Sequence, residues 1–290
     1  MHGELVRAFA VDGVRLDGMV LSPTGEKCQI ADAILCLHGV GSNFYSSNLF
    51  EGLTPTLLDL GLTVLWANTR GHDTAFNSYT AKTTRVIGAA FEIVDECRLD
   101  IAAWLTFLGR RNHERVILAG HSLGAIKSLY VAAYAPSSAI TGVIAMSPPR
   151  LSYSAFLNVG EPSFREAIEI AKSHISAGQE QALIPVRFPF PMLITAASYL
   201  DKYGPEERYN IERFVNQLCC PALITYGQIE LDSGGIAFAG LNETLPSLAR
   251  PNQKLDAISI PDADHLYLSQ YPAVAAKVRE WLLDQSRSDA

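Results

Sequence analysis

A serine between two glycines, Gly120-His-Ser122-Leu-Gly124, constrains the fold more than any other part of the sequence. It follows Arg115 to Leu118, which is typical of a buried strand, and precedes Ala125 to Ala135, which is typical of a helix. The two glycines allow the strand and the helix to approach closely, and the tight turn strains the backbone at the serine. The pattern predicts that Ser122 projects from the carboxyl edge of a sheet, where the helix dipole favours negative charge. The alternative is a glycine-rich turn with a capping serine.

Apolar strands alternate with helical segments along most of the chain. The predicted strands are Leu5 to Val11, Val14 to Leu21, Ala31 to Leu37, Leu62 to Ala67, Arg115 to Leu118, Ile140 to Met146, Pro221 to Tyr226 and Leu255 to Ile260. The predicted helices are Glu51 to Leu60, Glu92 to Leu108, Ala125 to Ala135, Phe164 to Ile175 and Pro272 to Leu283. The turn Asp12-Gly13 makes the first two strands an antiparallel pair. The rest predicts an α/β fold with a mostly parallel, doubly wound sheet, whose ligands bind at the carboxyl ends of the strands.

The alternation stops between residues 150 and 216. This stretch holds the helix candidate just given, a proline-rich apolar segment from Ile184 to Pro191 and a polar, helix-like run to Gln217. We therefore predict one core made of residues 1–149 and 217–290, with residues 150–216 inserted as a lid. The length of 290 residues and the hydrophobic content of 48% suit one large domain with such an insertion.

Charge and composition argue against several classes of partner. The net charge is −7, and lysine and arginine are scattered, so no nucleic acid partner is expected. The amino terminus lacks a leader pattern, and no run approaches the ~20 apolar residues of a membrane span. We expect a cytoplasmic protein without stable membrane association. The predicted partner is a small-molecule substrate, with a homodimer as a further option.

Cysteine usage and motif absences bear on cofactors. The five cysteines, an odd number, have no metal-ligand spacing and fit free thiols in a reducing compartment: Cys28, Cys36, Cys97, Cys219 and Cys220. No dinucleotide fingerprint, phosphate loop or zinc motif is present. We therefore expect neither a cofactor nor a metal.

With the turn at Ser122 and the His38-Gly39-Val40 segment after a strand, the chain resembles the α/β-hydrolase-fold serine hydrolases over nearly its whole length. The resemblance implies that Ser122 is the nucleophile and that the backbone amides of Val40 and Leu123 form the oxyanion hole. Each such amide typically lowers the barrier by ~3 kcal/mol. Segments such as Phe188-Pro-Phe-Pro191 and Tyr199-Leu-Asp-Lys-Tyr-Gly204 are similar to a bacterial subgroup of these hydrolases.

The same resemblance points to a general base and an acid. Among seven histidines, His265 follows the last strand and precedes the last helix, where the family carries its catalytic histidine. The acid usually lies three residues after a glycine at the end of the strand that follows the lid. Glu230 occupies that position after Gly227, while Asp232 remains the alternative acid because most relatives have aspartate.

The implied activity is hydrolysis of a carboxylic ester or thioester through an acyl-enzyme on Ser122. The alternatives are amide or carbon–carbon bond hydrolysis with the same triad, a ligand-binding protein without turnover, and a lipase. Aromatic residues of the insertion are candidates for the substrate pocket, namely Phe156, Phe164, Phe188, Phe190, Met192, Tyr199 and Tyr203. The other interpretation is that they pack the lid onto the core.

Overall fold

A computed structural model describes residues 3–23, 30–79 and 84–288. The strands of the central sheet are β1 (Gly3–Phe9), β2 (Arg15–Leu21), β3 (Ala33–Leu37), β4 (Thr63–Ala67), β7 (Val116–His121), β8 (Ile140–Met146), β11 (Ala222–Gly227) and β12 (Leu255–Ile260). Two hairpins lie outside this sheet, β5 (Phe76–Tyr79) with β6 (Thr84–Ile87) and β9 (Leu183–Val186) with β10 (Met192–Thr195).

The eight strands of the sheet follow the order β1-β2-β4-β3-β7-β8-β11-β12. β1 is antiparallel to β2, and β2 to β4, whereas the remaining pairs are parallel. All five residues of β3 are buried, as a strand covered on both faces requires. The predicted α/β class and mostly parallel sheet are confirmed.

Helices cover both faces of the sheet. One face carries α1 (Asn48–Asp59) and α9 (Tyr271–Ser288), and the other carries α2 (Cys97–Gly109), α3 (Leu123–Tyr134) and α8 (Leu241–Ser247). Each face has its own hydrophobic core. Trp104 is fully buried in the core under α2, α3 and α8. The carboxyl ends of β3, β7, β11 and β12 therefore lie at one edge, where the connecting loops gather.

The chain between β8 and β11 forms a compact addition at this edge. It contains α4 (Tyr153–Val159), α5 (Pro162–Ser176), the β9–β10 hairpin and α6 (Ala196–Tyr203), followed by short 3-10 turns. The predicted proline-rich segment is thus part of a hairpin, and the predicted run to Gln217 is helical only as far as Tyr203 before the 3-10 turns. Buried aromatic residues such as Phe164 and Phe214 join the addition to the core on the α2–α3 face.

Several predicted boundaries differ from the observed ones, and two of the differences have a clear physical cause. The first strand ends at Phe9, because the Ala10 amide donates to the Val14 carbonyl at 2.9 Å and closes the turn. The second helix begins at Cys97 instead of Glu92. A 3-10 turn precedes it, in which the Val94 amide donates to the Asp201 carboxylate at 2.8 Å. Tertiary contacts therefore override helix propensity at this position.

Several short elements were not predicted. They are the β5–β6 hairpin, α7 (Gln228–Ser233) and α8.

Four cysteines are free thiols, namely Cys36, Cys97, Cys219 and Cys220, and Cys28 lies outside the described residues. Within the described parts of the chain, no helix has the length and apolarity to cross a membrane.

Candidate active site

The turn between β7 and α3 holds Ser122 in a conformation that few residues adopt. Its φ is 56° and its ψ is −120°, and it is the residue just before the helix. A Cβ at Gly120 would lie 2.1 Å from the Gly124 carbonyl oxygen, and a Cβ at Gly124 would lie 2.2 Å from the Leu37 carbonyl oxygen. Both positions therefore require glycine, and the close approach predicted from the sequence is present.

His265 lies beside this serine, in the loop between β12 and α9. Its Nε2 is 3.1 Å from Ser122 Oγ, and its Nδ1 is 2.7 Å from Glu230 Oε2. A carboxylate can only accept, so Nδ1 carries the proton and the Nε2 lone pair faces the serine hydroxyl. We call Ser122, His265 and Glu230 the serine site. Their side chains form one continuous row of hydrogen bonds.

The second oxygen of Glu230 is also satisfied. It accepts from the Gly227 amide at 2.7 Å and from the Ser147 hydroxyl. Ser147 follows β8, is fully buried and has a φ of 52°, and its oxygen is 2.8 Å from the Tyr267 hydroxyl. This support was missed in the sequence analysis, because Ser147 and Glu230 are 83 residues apart and no local pattern links them. Glu230 is thereby fixed from two sides.

Asp232 lies elsewhere. It is exposed, and its carboxylate accepts from the Gln228 side chain at 2.9 Å. The short helix α7 turns position 230 toward His265 and position 232 toward solvent. The structure therefore brings Glu230, and not the alternative acid, against the histidine.

His121, between the first glycine and the serine, supports the histidine from behind. Its Nε2 donates to the His265 backbone oxygen at 2.7 Å, and the two rings are 5.0 Å apart. Burial, with a smaller contribution from His265, lowers the pKa of His121 to about 4. His121 is therefore a neutral donor near pH 7, a role that the motif alone did not indicate.

Val40 and Leu123 line the same cavity as Ser122. Leu123 is the first residue of α3, so its amide has no acceptor within the helix. His38 Nδ1 donates to the Gly39 carbonyl at 2.8 Å. In a trans peptide the carbonyl and the next amide point in opposite directions, so the Val40 N–H is directed away from His38.

His38 is itself held in place. Its Nε2 accepts from the Thr69 amide at 3.1 Å, and burial lowers its pKa to about 4. These contacts give the His38 side chain a structural role.

These groups open into a cavity of about 440 Å³. Ser122, His265, Val40 and Leu123 form part of its wall. Of the aromatic candidates, those in the wall are Phe156, Phe188, Phe190 and Tyr203. Those elsewhere are Phe164 and Tyr199, both fully buried, and Met192, which lies at a separate groove. The segment Gly234–Phe238 completes the wall and was not predicted to do so.

A group of buried charges lies behind the cavity. We call Glu92, Lys127 and Lys202 the lysine cluster. None of the three is more than 3% exposed. Lys127 Nζ is 2.5 Å from Glu92 Oε1, and Lys202 Nζ is 3.7 Å from Glu92 Oε2. Lys127 also donates to Thr69 Oγ1 at 2.8 Å, which links the cluster to the surroundings of His38. Elsewhere in the described residues, no three histidine, cysteine or acidic side chains are grouped to hold a metal ion.

Comparisons with known proteins agree with the fold described above. The family model described as the alpha/beta hydrolase fold matches residues 32–172. A search of curated proteins finds no match. Among solved structures, Est1E from Butyrivibrio proteoclasticus has a TM-score of 0.65 and 17% identity, covering 98% of this chain and 99% of that chain.

Two further structures are similar. The alpha/beta hydrolase GrgF from Penicillium sp. sh18 has a TM-score of 0.69 and 15% identity, covering 97% of this chain and 98% of its own. The Pyrococcus furiosus esterase Pf2001 has a TM-score of 0.61 and 19% identity, covering 98% and 90%. The sheet order, the strained serine turn and these matches together show that the chain has the α/β-hydrolase fold, and an esterase is among the solved structures that are similar to it.

Proposed function

We propose that the protein is a serine hydrolase that cleaves a carboxylic ester or thioester through an acyl-enzyme on Ser122. The observation that carries this proposal is the hydrogen-bonded row from Ser122 through His265 to Glu230, located at an apolar cavity. A serine hydroxyl is a weak nucleophile unless a base held by a third group removes its proton.

The geometry supports a specific role for each group. As Ser122 Oγ attacks the carbonyl carbon, His265 Nε2 takes the hydroxyl proton and then gives it to the leaving alcohol or thiol. Glu230 holds the imidazole in the required tautomer and stabilises its charged form. Water then attacks the acyl-enzyme with His265 again as the base, which releases the acid and restores Ser122. The chemistry uses the chain's own residues and water.

The amides of Val40 and Leu123 are proposed to bind the oxyanion. The support is their position in the wall beside Ser122 and the orientation that His38 imposes on the Gly39–Val40 peptide. Fixed donors in a cavity stabilise the developing charge without reorganising during the reaction. The dipole at the start of α3 acts in the same direction.

Residues 150–216 are proposed to act as a lid that shapes the substrate pocket. They contribute Leu151, Phe156 and Phe188 to the wall opposite the sheet edge. Pf2001 is described as an esterase, and one structure of Est1E has ferulic acid bound. These descriptions favour an ester over an amide as the substrate of this chain.

A panel of 4-nitrophenyl esters, matched thioesters and matched anilides tests this function. We expect ester and thioester turnover with a pre-steady-state burst, and turnover at least 10³-fold lower in Ser122→Ala. Tyr45→Phe, a substitution at an exposed position outside the wall, serves as the control and retains the wild-type rate. Equal turnover by wild type and Ser122→Ala would contradict the proposal, and preferred cleavage of anilides would move it to amides.

A further inference from the structure

The lysine cluster has an unbalanced charge. It contains two ammonium groups and one carboxylate, and none of the three side chains is more than 3% exposed. The carboxylate lies closer to Lys127, at 2.5 Å, than to Lys202, at 3.7 Å. Neither Glu92 oxygen receives a well-aligned hydrogen bond, and in the described residues Lys202 Nζ has no hydrogen-bond partner. Lys202 is thus a buried cation with three unused donors.

Neighbouring groups do not supply the missing negative charge. The charge of Asp201 is paired elsewhere, because its carboxylate lies 3.6 Å from the Arg208 guanidinium and also accepts from the Val94 amide at 2.8 Å and the Tyr209 hydroxyl at 2.9 Å. Burial raises the pKa values of Tyr199 and Tyr203, so both phenols stay neutral. A buried charge without a partner is costly, so the arrangement favours a ligand that brings an anion.

Lys202 also belongs to the wall of the cavity that contains Ser122 and His265. The two other ionised wall residues are already paired. Arg150 contacts the Glu212 carboxylate twice at 3.1 Å, and Glu161 accepts from the Ser163 hydroxyl at 2.7 Å at the start of α5. Most of the remaining wall is apolar, so a polar group entering the cavity gains most at Lys202.

We infer that the preferred substrate is an ester bearing a carboxylate on an otherwise apolar portion, and that this carboxylate pairs with Lys202 Nζ. The inference rests on the proposed hydrolysis at the same cavity and adds the chemical class of its substrate. The flexible stem of lysine lets the ammonium turn toward the ligand while Glu92 stays with Lys127. The carboxylate then supplies the negative charge that the cluster lacks, and the apolar wall binds the rest of the molecule.

Two substrate series test this inference. The first pairs 4-nitrophenyl monoesters of succinic, glutaric, adipic and suberic acids with the same compounds capped as methyl esters. The second pairs 4-carboxyphenyl butanoate with phenyl butanoate, which places the carboxylate on the leaving group. The quantity compared is the ratio of kcat/KM for the charged ester to kcat/KM for its neutral partner, because a general loss of activity cancels in this ratio.

We expect wild type to prefer the charged ester in at least one series. Lys202→Met should lower that ratio about tenfold or more, the worth of one charge-assisted hydrogen bond. Lys202→Arg should keep most of the preference. Lys172→Met, at a half-exposed lysine of α5, is the control and should match wild type. A preference for the neutral ester in both series, or a ratio unchanged by Lys202→Met, would overturn the inference.

Direct binding separates this inference from the proposed function. Calorimetry with monomethyl adipate and monomethyl suberate should show tighter binding to wild type than to Lys202→Met by about tenfold, even if no ester is turned over. Absence of turnover together with Lys202-dependent binding would contradict the proposed hydrolase function and support the carboxylate site at Lys202. Turnover without any Lys202-dependent binding or preference would keep the hydrolase and remove the anion site.

Discussion

The serine site and the lysine cluster are both buried polar groups of the same molecule, but they differ in how their charges are satisfied. Glu230 accepts from His265, Gly227 and Ser147, so its negative charge is fully hydrogen-bonded. The cluster has one carboxylate for two ammonium groups, and Lys202 donates to none of the described atoms. The first arrangement is complete and preorganised, whereas the second gains from a negative partner.

Position in the fold explains the difference. The serine site is built on the carboxyl ends of parallel strands and uses backbone groups as partners, so the sheet fixes its geometry. Lys202 comes from α6 of the insertion and reaches Glu92 of the core with a long side chain. Local conflicts of this kind are expected mainly at functional or strained sites.

The largest expected effect comes from breaking the row of the serine site. Glu230→Gln should lower kcat/KM for esters about 10³-fold or more, because the amide no longer fixes the histidine tautomer. Asp232→Asn is the matched control and should stay within about twofold of wild type, since Asp232 bonds only to Gln228 among the contacts described. Steady-state kinetics on one chromogenic ester measures both. A large loss in Asp232→Asn with little loss in Glu230→Gln would reverse the assignment.

The comparison predicts opposite stability effects within the lysine cluster. Glu92→Gln leaves two buried ammonium groups without a carboxylate and should lower the free energy of unfolding by about 3–5 kcal/mol. Lys202→Met removes the ammonium group that is farther from Glu92 and makes no hydrogen bond, and it should leave that free energy unchanged or raise it by about 1 kcal/mol. Urea denaturation of both variants decides. If Lys202→Met destabilises the fold as much as Glu92→Gln, the lysine is already paired and the contrast fails.

Acid pH should destabilise the fold through His121, which supports the serine site. Its native pKa of about 4 lies below the ordinary value of 6.5, so the unfolded chain binds the proton first as pH falls. This group therefore leaves the free energy of unfolding unaffected above pH 6.5. Between pH 6.5 and pH 4 it lowers that free energy by about 3 kcal/mol. Denaturation curves from pH 7 to 4 should therefore fall more steeply for wild type than for His121→Gln. His174→Gln, at an exposed position, is the control; parallel curves for wild type and His121→Gln would contradict the expectation.

The smallest expected effect concerns Ser147. Ser147→Ala removes one of the donors to Glu230 and should lower kcat about tenfold with little change in KM, because Glu230 and His265 keep their direct contact. Ser233→Ala, on the same short helix as Glu230 but exposed, should leave kcat unchanged. A Ser147→Ala enzyme with wild-type kcat would show that the Gly227 amide alone positions the acid.

The sequence predicts the parts of this molecule that depend on local chemistry. Positions 120 and 124 require glycine, because a Cβ there would lie 2.1 and 2.2 Å from backbone oxygens, so the motif follows directly from the backbone geometry. Apolar strands identify the buried sheet, because a strand that is covered on both faces must be apolar along its whole length. The segment between β8 and β11 interrupts the strand–helix alternation, which is why the sequence analysis sets residues 150–216 apart.

Other features depend on contacts between distant segments. Ser147 and Glu230 are 83 residues apart, and His121 and His265 are 144 apart, so no local pattern links them. Lys202 reads as an ordinary polar residue of a helix, and only the structure shows that it is buried beside Glu92. The β5–β6 hairpin is short and mostly exposed, which leaves it little hydrophobic signal.

Activation of Ser122 by its neighbours is tested most directly by intact-mass measurement after exposure to a fluorophosphonate. We expect wild type to gain one label per chain, Ser122→Ala to gain none, and His265→Ala to react at least 10³-fold more slowly. Wild type that is folded and still unlabelled, or labelling that persists at full rate in His265→Ala, would contradict the proposal that this site is a serine hydrolase.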